Sequence, residues 1–259
     1  MPQAVVADIG SRFDAILFDK DGTLMDFAYT WGKWSEQLLA SCSGRLGLPN
    51  EQSVLEGLLG TRHGEDGTIV DYDRSGPLAM GTVEDITAIM AWQGYENGLS
   101  WGEAREAALD GKRAADQAIE EERAVRLLPH VLPFLERCRA AGLKLAVVTA
   151  DETIAAEKHL EWLGIRHLFE ACIGTDLAVR GKPFPDLVLL ACHELSVQPE
   201  RVVVIGDTDG DMKMAKAAGA GLAIGIRDIH SNHKAQLPHA DITIRSMDDL
   251  SVEDKQDED

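Results

Sequence analysis

The sequence predicts an α/β protein: a doubly wound parallel-sheet core carrying an inserted, mainly helical domain. Three observations predict it. Short β-rich apolar runs alternate with longer helical patterns, as strands and crossover helices do in a parallel sheet. Several of those runs end on a residue able to do chemistry, such as Asp19, Thr149 or Asp207. Between the first run and the rest lies a stretch of roughly 100 residues of different character, too long for a plain loop inside a compact domain.

The first strand is expected at Ala15-Ile16-Leu17-Phe18, closed by Asp19. The stretch that follows holds Trp31, Trp34, Trp92 and Trp101, which are expected to serve as its core. It reads as helix at Trp34 to Ser43 and at Trp101 to Val125, interrupted by Gly-rich patches at Gly57 to Gly67 and Gly76 to Gly81. A helix is expected from Pro129 to Ala141, with Gly142 as the residue that ends it. The second strand is Leu143 to Val148, before Thr149; Asp151 can cap the helix beyond it, which runs out at Gly164. Ala171-Cys172-Ile173 is a third, weaker strand, and Pro185 opens the helix carrying Leu187, Val188, Leu190, Ala191 and Leu195. Val202 to Ile205 is the fourth strand, closed by Gly206-Asp207, and Met212 to Ala218 is the helix linking it to Leu222 to Ile226. A short Ile242-Thr243-Ile244 strand follows, and the acid-rich run from Asp248 is expected to fray. Residues 1–28 and 127–250 thus form the core, 29–126 the insert and 251–259 an acidic tail.

Composition narrows the function. At 45% hydrophobic and 27% charged, the 259-residue chain can bury a core, which excludes global disorder. Its formal net charge of −19 offers no field to gather a nucleic-acid backbone or an anionic membrane surface. No secretory pattern opens the chain, and no apolar run approaches the roughly 18 to 20 residues of a membrane span. Cys42, Cys138, Cys172 and Cys192 show no C-x-x-C spacing. Reduced, buried thiols in a cytoplasmic protein are expected, not a disulfide frame or a zinc site.

In a doubly wound sheet, ligands bind beyond the carboxyl ends of the strands. Asp19 and Asp21 follow the first strand, Thr149 the second, Lys182 lies in the loop after the third, and Asp207 and Asp211 follow the fourth. Clustered carboxylates repel one another unless a cation neutralises them, and magnesium suits hard oxygen donors that share it with a phosphate. Lys182 and Thr149 supply a charge and a hydroxyl for phosphoryl oxygens. Taken singly, each residue has an ordinary reading: a turn at Asp21-Gly22-Thr23, a strand end at Thr149, a solvated Lys182. Gly206 to Asp211 does not make a calcium loop, because Met212 stands where that loop needs glycine. Gly219, Gly221 and Gly225 do not make a dinucleotide fingerprint. The ordered set carries the reading.

Phe18-Asp19-Lys20-Asp21-Gly22-Thr23-Leu24 resembles the D-x-D-G-T-L signature of the haloacid dehalogenase-like hydrolase superfamily. Val147-Val148-Thr149 is similar to its second motif and Lys182-Pro183-Phe184-Pro185-Asp186 to its third. Gly206 to Asp211, followed by Ala215 to Gly219, resembles the fourth. The resemblance implies a Rossmann-like core, with Asp19 as a nucleophile that forms an aspartyl-phosphate. It implies that Asp21 protonates the leaving oxygen and later deprotonates water. It also implies Mg²⁺ held by the Asp19 carboxylate, the Asp21 backbone carbonyl and Asp207, with Asp211 in support. Thr149 and Lys182 would bind the phosphoryl group.

An acid at Asp21 favours phosphate-ester hydrolysis or a phosphomutase over dehalogenation, since a halide needs no proton to leave. Lys20 departs from the apolar residue that many soluble members carry there, and it is expected to turn away from the phosphate. The insert resembles the helical cap of the phosphoglycolate phosphatase-like subfamily, which closes over the site and selects the leaving group. Arg62 and His63, in the Gly60 to Gly64 loop, are candidates to contact the far end of the substrate. The expectation is a magnesium-dependent phosphatase acting on a small phosphorylated metabolite, phosphoglycolate being the default. A sugar-phosphate phosphomutase is the nearest alternative. A phospho-accepting signalling module is a remoter one, because its phosphorylated Asp follows a third strand in a domain half this size.

Overall fold

Short, continuously apolar runs, buried on both faces, build the central sheet, and the computed structural model describes the chain within residues 7–10, 12–48, 52–227 and 237–252. In chain order, β1 is Ala7–Asp8 and β2 is Ala15–Phe18. The insertion then contributes α1 (Phe27–Leu46), α2 (Gln52–Leu59), β3 (Thr61–His63), β4 (Ile69–Tyr72), α3 (Pro77–Met80), α4 (Val83–Glu96) and α5 (Trp101–Glu122). The chain returns with α6 (Val131–Ala140), β5 (Lys144–Val148), α7 (Thr153–Trp162), β6 (Ala171–Ile173), α8 (Asp186–Leu195) and β7 (Val202–Gly206). It closes with α9 (Asp209–Ala218), β8 (Leu222–Ile226), β9 (Ile242–Ile244) and β10 (Leu250–Ser251). Contacts divide the chain into two compact units, one running to Asp26 and resuming at Leu127, the other spanning Phe27–Arg126.

In the first unit six strands pair in the order β6-β5-β2-β7-β8-β9, all parallel. Phe18 sits level with Val147 on one neighbour and Ile205 on the other. Successive side chains of a strand point to opposite faces, and the cores divide accordingly. Ile16, Phe18, Leu145, Val147, Val203 and Ile205 pack with α6 and α7 residues such as Phe134, Ala156 and Leu160. Leu17, Ala146, Val148, Val202 and Val204 pack instead with Leu187 and Ala191 of α8 and Met212 and Ala215 of α9. Helices cover both faces, as doubly wound sheets require. Phe18 meets Phe134 and Phe169 edge-on, with ring centroids 6.2 and 6.1 Å away, each contact worth about 1 kcal/mol beyond burial.

The order of strands matters for the site. From β2 the chain builds outward through β5 and β6, then crosses back to lay β7 on the other side of β2. The carboxyl ends of β2 and β7 therefore flank the point where strand order reverses, which is where such sheets leave a crevice.

The second unit is mainly helical. Helices α1, α4 and α5 pack together, and Thr82 and Ser100 close capping boxes with Asp85 and Glu103 at the starts of α4 and α5. The Gly-rich segment expected as loop around Gly57 to Gly67 instead folds as the end of α2 and the β3–β4 antiparallel hairpin. Trp34 is buried and donates from Nε1 to Asp116 Oδ1 at 2.8 Å. Trp92 and Trp101 do not serve as core: they are 51% and 48% exposed, on either side of Tyr95. Trp101 is the first residue of α5, before its apolar stripe of Ala104, Ala107, Ala108 and Ala115 turns inward.

Three further boundaries differ from expectation. Helix α9 starts at Asp209 because Thr208 caps it. Helix α7 is tied by Asp176 rather than capped by Asp151: Thr153 N and Oγ1 both donate to Asp176 Oδ1 at 2.7 Å. Asp248 to Val252 does not fray, since β10 pairs in parallel with β1 and buried Asp249 accepts from Arg245 N. The remainder of the acidic tail, 253–259, lies outside the described residues.

Candidate active site

Strand parity sets the site. Leu17 faces α8 and α9, so Asp19 points the same way; Phe18 faces α6 and α7, so Lys20 points the other way. The strand pattern is still intact at Asp19, whose N–H donates to Ile205 O of β7 at 2.8 Å. Two separate buried clusters result.

The first cluster surrounds Asp19. The Lys182 ammonium contacts Asp19 Oδ1 and lies 2.6 Å from Asp211 Oδ1. Asp211 is the third residue of α9, and its other oxygen accepts from Thr208 N at 3.0 Å and from Thr208 Oγ1 at 2.5 Å. The helix cap thereby fixes which carboxylate oxygen faces Lys182. Gly206 makes this approach possible: a Cβ there would stand 2.5 Å from Asp211 Cγ. Asp207, next to it, is also buried. One oxygen each of Asp19, Asp207 and Asp211 lies within 4.8 Å of the others.

Electrostatics follows from that crowding. Burial, with Asp211, Asp207 and Asp21 adding to it, pushes the Asp19 carboxyl well above the usual range against the pull of Lys182. Burial also works against the charge on Lys182, but Asp19 and Asp211 outweigh it and hold its pKa above the ordinary lysine value. Three buried carboxylates lie together, and the Lys182 ammonium contacts two of them. Hard oxygen donors in that number and spacing fit a small divalent cation.

The second cluster surrounds Lys20, which is wholly buried. Its Nζ lies 2.8 Å from Asp151 Oδ2, 2.8 Å from His159 Nδ1 and 3.1 Å from Asp21 Oδ2. Burial opposes the charge on Lys20 too, and Asp151 and Asp21 overcome it and raise its pKa. Burial, then the Lys20 charge, pushes the His159 imidazole down to about 3, so the ring is neutral and accepts from the ammonium.

Set against known proteins, residues 13–219 match the family model of haloacid dehalogenase-like hydrolases. The chain belongs to that family. The phosphoglycolate phosphatase of Escherichia coli O157:H7 is 29% identical over 240 residues, covering 76% of this chain and 93% of that protein. The fold is similar to the crystal structure of a predicted phosphoglycolate phosphatase from Haemophilus somnus 129pt, with a TM-score of 0.69 and 22% identity over 92% of this chain and 96% of that one. It is also similar to β-phosphoglucomutase from Clostridium difficile, with a TM-score of 0.64 and 19% identity over 92% and 93% of the two chains.

Within this haloacid dehalogenase-like hydrolase, Asp19, Lys182, Asp207 and Asp211 come together as the motifs imply. Thr149 directly follows β5, the neighbour of β2; it is buried, and its Oγ1 accepts from Asp151 N at 3.1 Å, which leaves the hydroxyl proton to be donated. Asp21 is turned toward Lys20. Gly22 after it adopts φ 84°, a left-handed turn that glycine tolerates best, and its N–H donates to Met25 O. Arg62 and His63 belong to the second unit, on β3 rather than in a loop. Arg62 is exposed opposite Asp71, while the His63 side chain is only 2% exposed, its Nδ1 3.1 Å from Glu56 Oε1. Sequence reasoning did not select Asp151, His159 or Thr208. The Thr208-x-x-Asp211 spacing is a capping signal and could have found the last of these.

Proposed function

We propose that the chain is a magnesium-dependent phosphatase that hydrolyses a small-metabolite phosphomonoester through an aspartyl-phosphate, with phosphoglycolate as the first candidate substrate. The observation that carries the reading is the buried Asp19 carboxylate, in contact with Lys182 and grouped with Asp207 and Asp211 at the strand-order reversal. The relative named phosphoglycolate phosphatase supports the choice of substrate.

In the first half-reaction an Asp19 oxygen attacks phosphorus as the bond from phosphorus to the ester oxygen breaks. Asp21 gives its proton to that oxygen, and the alcohol leaves. In the second half-reaction water attacks phosphorus and yields a proton to Asp21. The bond to Asp19 breaks, phosphate departs, and the Asp19 carboxylate and Asp21 acid are restored. Lys182 and Thr149 hold the phosphoryl oxygens through both halves. Asp19, Asp207 and Asp211, with the Asp21 backbone carbonyl, would hold Mg²⁺, which when bound offsets the negative charge of carboxylates and phosphoryl group together.

Residues 29–126 are proposed as the cap over residues 1–28 and 127–250, with Arg62 meeting the end of the substrate remote from the phosphate and His63 steadying the hairpin that presents it. The four free, buried cysteines favour a reducing, cytoplasmic setting. Among the described residues no helix is long and apolar enough to cross a membrane.

A panel of phosphorylated metabolites, scored by phosphate release with and without Mg²⁺, tests the reading. Phosphoglycolate or a close analogue should release phosphate, EDTA should stop it, and added Mg²⁺ should restore it. Conversion of a sugar phosphate without net release would replace hydrolysis by a phosphomutase. Indifference to EDTA would remove the metal.

A further inference from the structure

Lys20 is a buried charge that the phosphatase chemistry does not call upon. It lies on the α7 side of the sheet, away from the face where Asp19 meets Lys182. A lysine ammonium has three N–H groups to donate, and three acceptors stand around this one. Asp21 comes from the turn after β2, Asp151 from the loop after β5, and His159 from α7. We infer that Lys20 is a positioning residue for Asp21, pinned by Asp151 and His159 so that the Asp21 carboxyl stays aimed at the leaving oxygen of the bound ester. The inference rests on the phosphatase reading above.

The argument is one of restraint. Asp21 sits on a glycine-containing turn, its Oδ2 faces Lys20, and its side chain keeps 13% exposure. A short side chain on such a turn has rotamers to lose, and a proton donor displaced by an ångström loses much of its effect. Lys20 can restrain it only if Lys20 is itself fixed, and it is. Its aliphatic stem is enclosed, and its two other acceptors are held in turn. Asp151 Oδ1 accepts from Glu152 N at 2.8 Å, and Asp151 O accepts from Thr175 N at 2.9 Å. The His159 ring packs 5.5 Å from Trp162. Asp151 N also donates to Thr149 Oγ1, so one residue joins the restraint on Asp21 to the hydroxyl proposed to grip the phosphoryl group.

A merely structural ion pair and a positioning residue differ in what their loss does to two esters. p-Nitrophenolate is a stable anion that leaves without a proton, whereas an alkoxide needs one as its bond to phosphorus breaks. The ratio of kcat/KM for p-nitrophenyl phosphate to kcat/KM for 2-phosphoglycolate reports that step and is independent of how much of the preparation is folded.

Lys20→Met should raise this ratio at least about tenfold, and Asp21→Asn should raise it at least as much. Adding Lys20→Met to Asp21→Asn should change it no further, because the group being positioned is gone. Lys20→Met/Asp151→Asn removes both charges together and should show the raised ratio in a protein spared an unpaired buried carboxylate. Equal loss on both esters in the Lys20 variants, with Asp21→Asn still discriminating, would overturn the positioning role alone. An Asp21→Asn enzyme that does not discriminate would overturn the acid–base reading on which it rests.

Discussion

Two buried ionic clusters flank the three residues Asp19-Lys20-Asp21, and they are composed in opposite ways. Around Asp19, three carboxylates are grouped, and the Lys182 ammonium contacts two of them. Around Lys20, two carboxylates, Asp21 and Asp151, and a neutral His159 give the ammonium one acceptor for each of its three N–H groups. Both are shielded from solvent, where an uncompensated charge is costly. The first is stable only with something positive added or a proton taken up, which is what the raised Asp19 carboxyl expresses. The second is complete as it stands. Three grouped carboxylates mark where a ligand completes the protein; an acceptor for every N–H of a buried ammonium marks a scaffold.

The difference can be broken most severely at Asp19. Asp19→Asn should lower turnover of p-nitrophenyl phosphate on the order of 10³-fold or more with unchanged circular dichroism. Because it also removes one charge from the overloaded cluster, metal-free thermal stability should not fall. Retained turnover would remove the nucleophile.

Lys182→Met sharpens the contrast at a lesser magnitude. It takes away the ammonium that contacts both Asp19 and Asp211, so kcat/KM should drop on the order of 10²-fold or more. Metal-free stability should drop by about 3 kcal/mol. Mg²⁺ should then raise the melting temperature further than it does in the unmodified protein. An unchanged metal-free melting temperature would mean that the carboxylates are not in conflict.

His159→Gln gives the smallest effect, read as a pH dependence of stability. The native ring titrates at about 3, below the ordinary 6.5, so below pH 6.5 the unfolded chain takes up a proton that the native chain refuses. Stability is full above pH 6.5 and is lost as pH falls toward 3, by about 2 kcal/mol at pH 5. Gln keeps an acceptor but does not titrate, so chemical denaturation at pH 7 and pH 5 should show that increment missing from the variant. An equal loss in both proteins would mean that His159 is not held neutral.

Much of this was legible in the chain. The strands could be read because β2, β5 and β7 are buried on both faces and therefore nearly continuous in Ala, Val, Ile and Leu. Asp19 and Asp207 could be read because each stands directly beyond such a run, and Asp21 and Asp211 because they follow within a few residues. The hairpin of β3 and β4 was hidden by glycines and by Arg62, His63 and Asp71, which make poor strand signals. β1 and β10 were hidden by their length of two residues each. Trp92 and Trp101 misled for another reason: a large apolar side chain says nothing of its side of a helix until the helix's neighbours are known.

By itself the sequence determined the parallel α/β core and singled out the six side chains at 19, 21, 149, 182, 207 and 211 as candidates, because apolar runs and strand-end polarity are local properties. Only the tertiary structure decided which of them share a pocket. Asp19 meets a lysine 163 positions away, and Lys20 meets an aspartate 131 and a histidine 139 positions away. No local pattern carries such pairings. They follow from strand order and from the alternation that sends adjacent residues to opposite faces of one sheet.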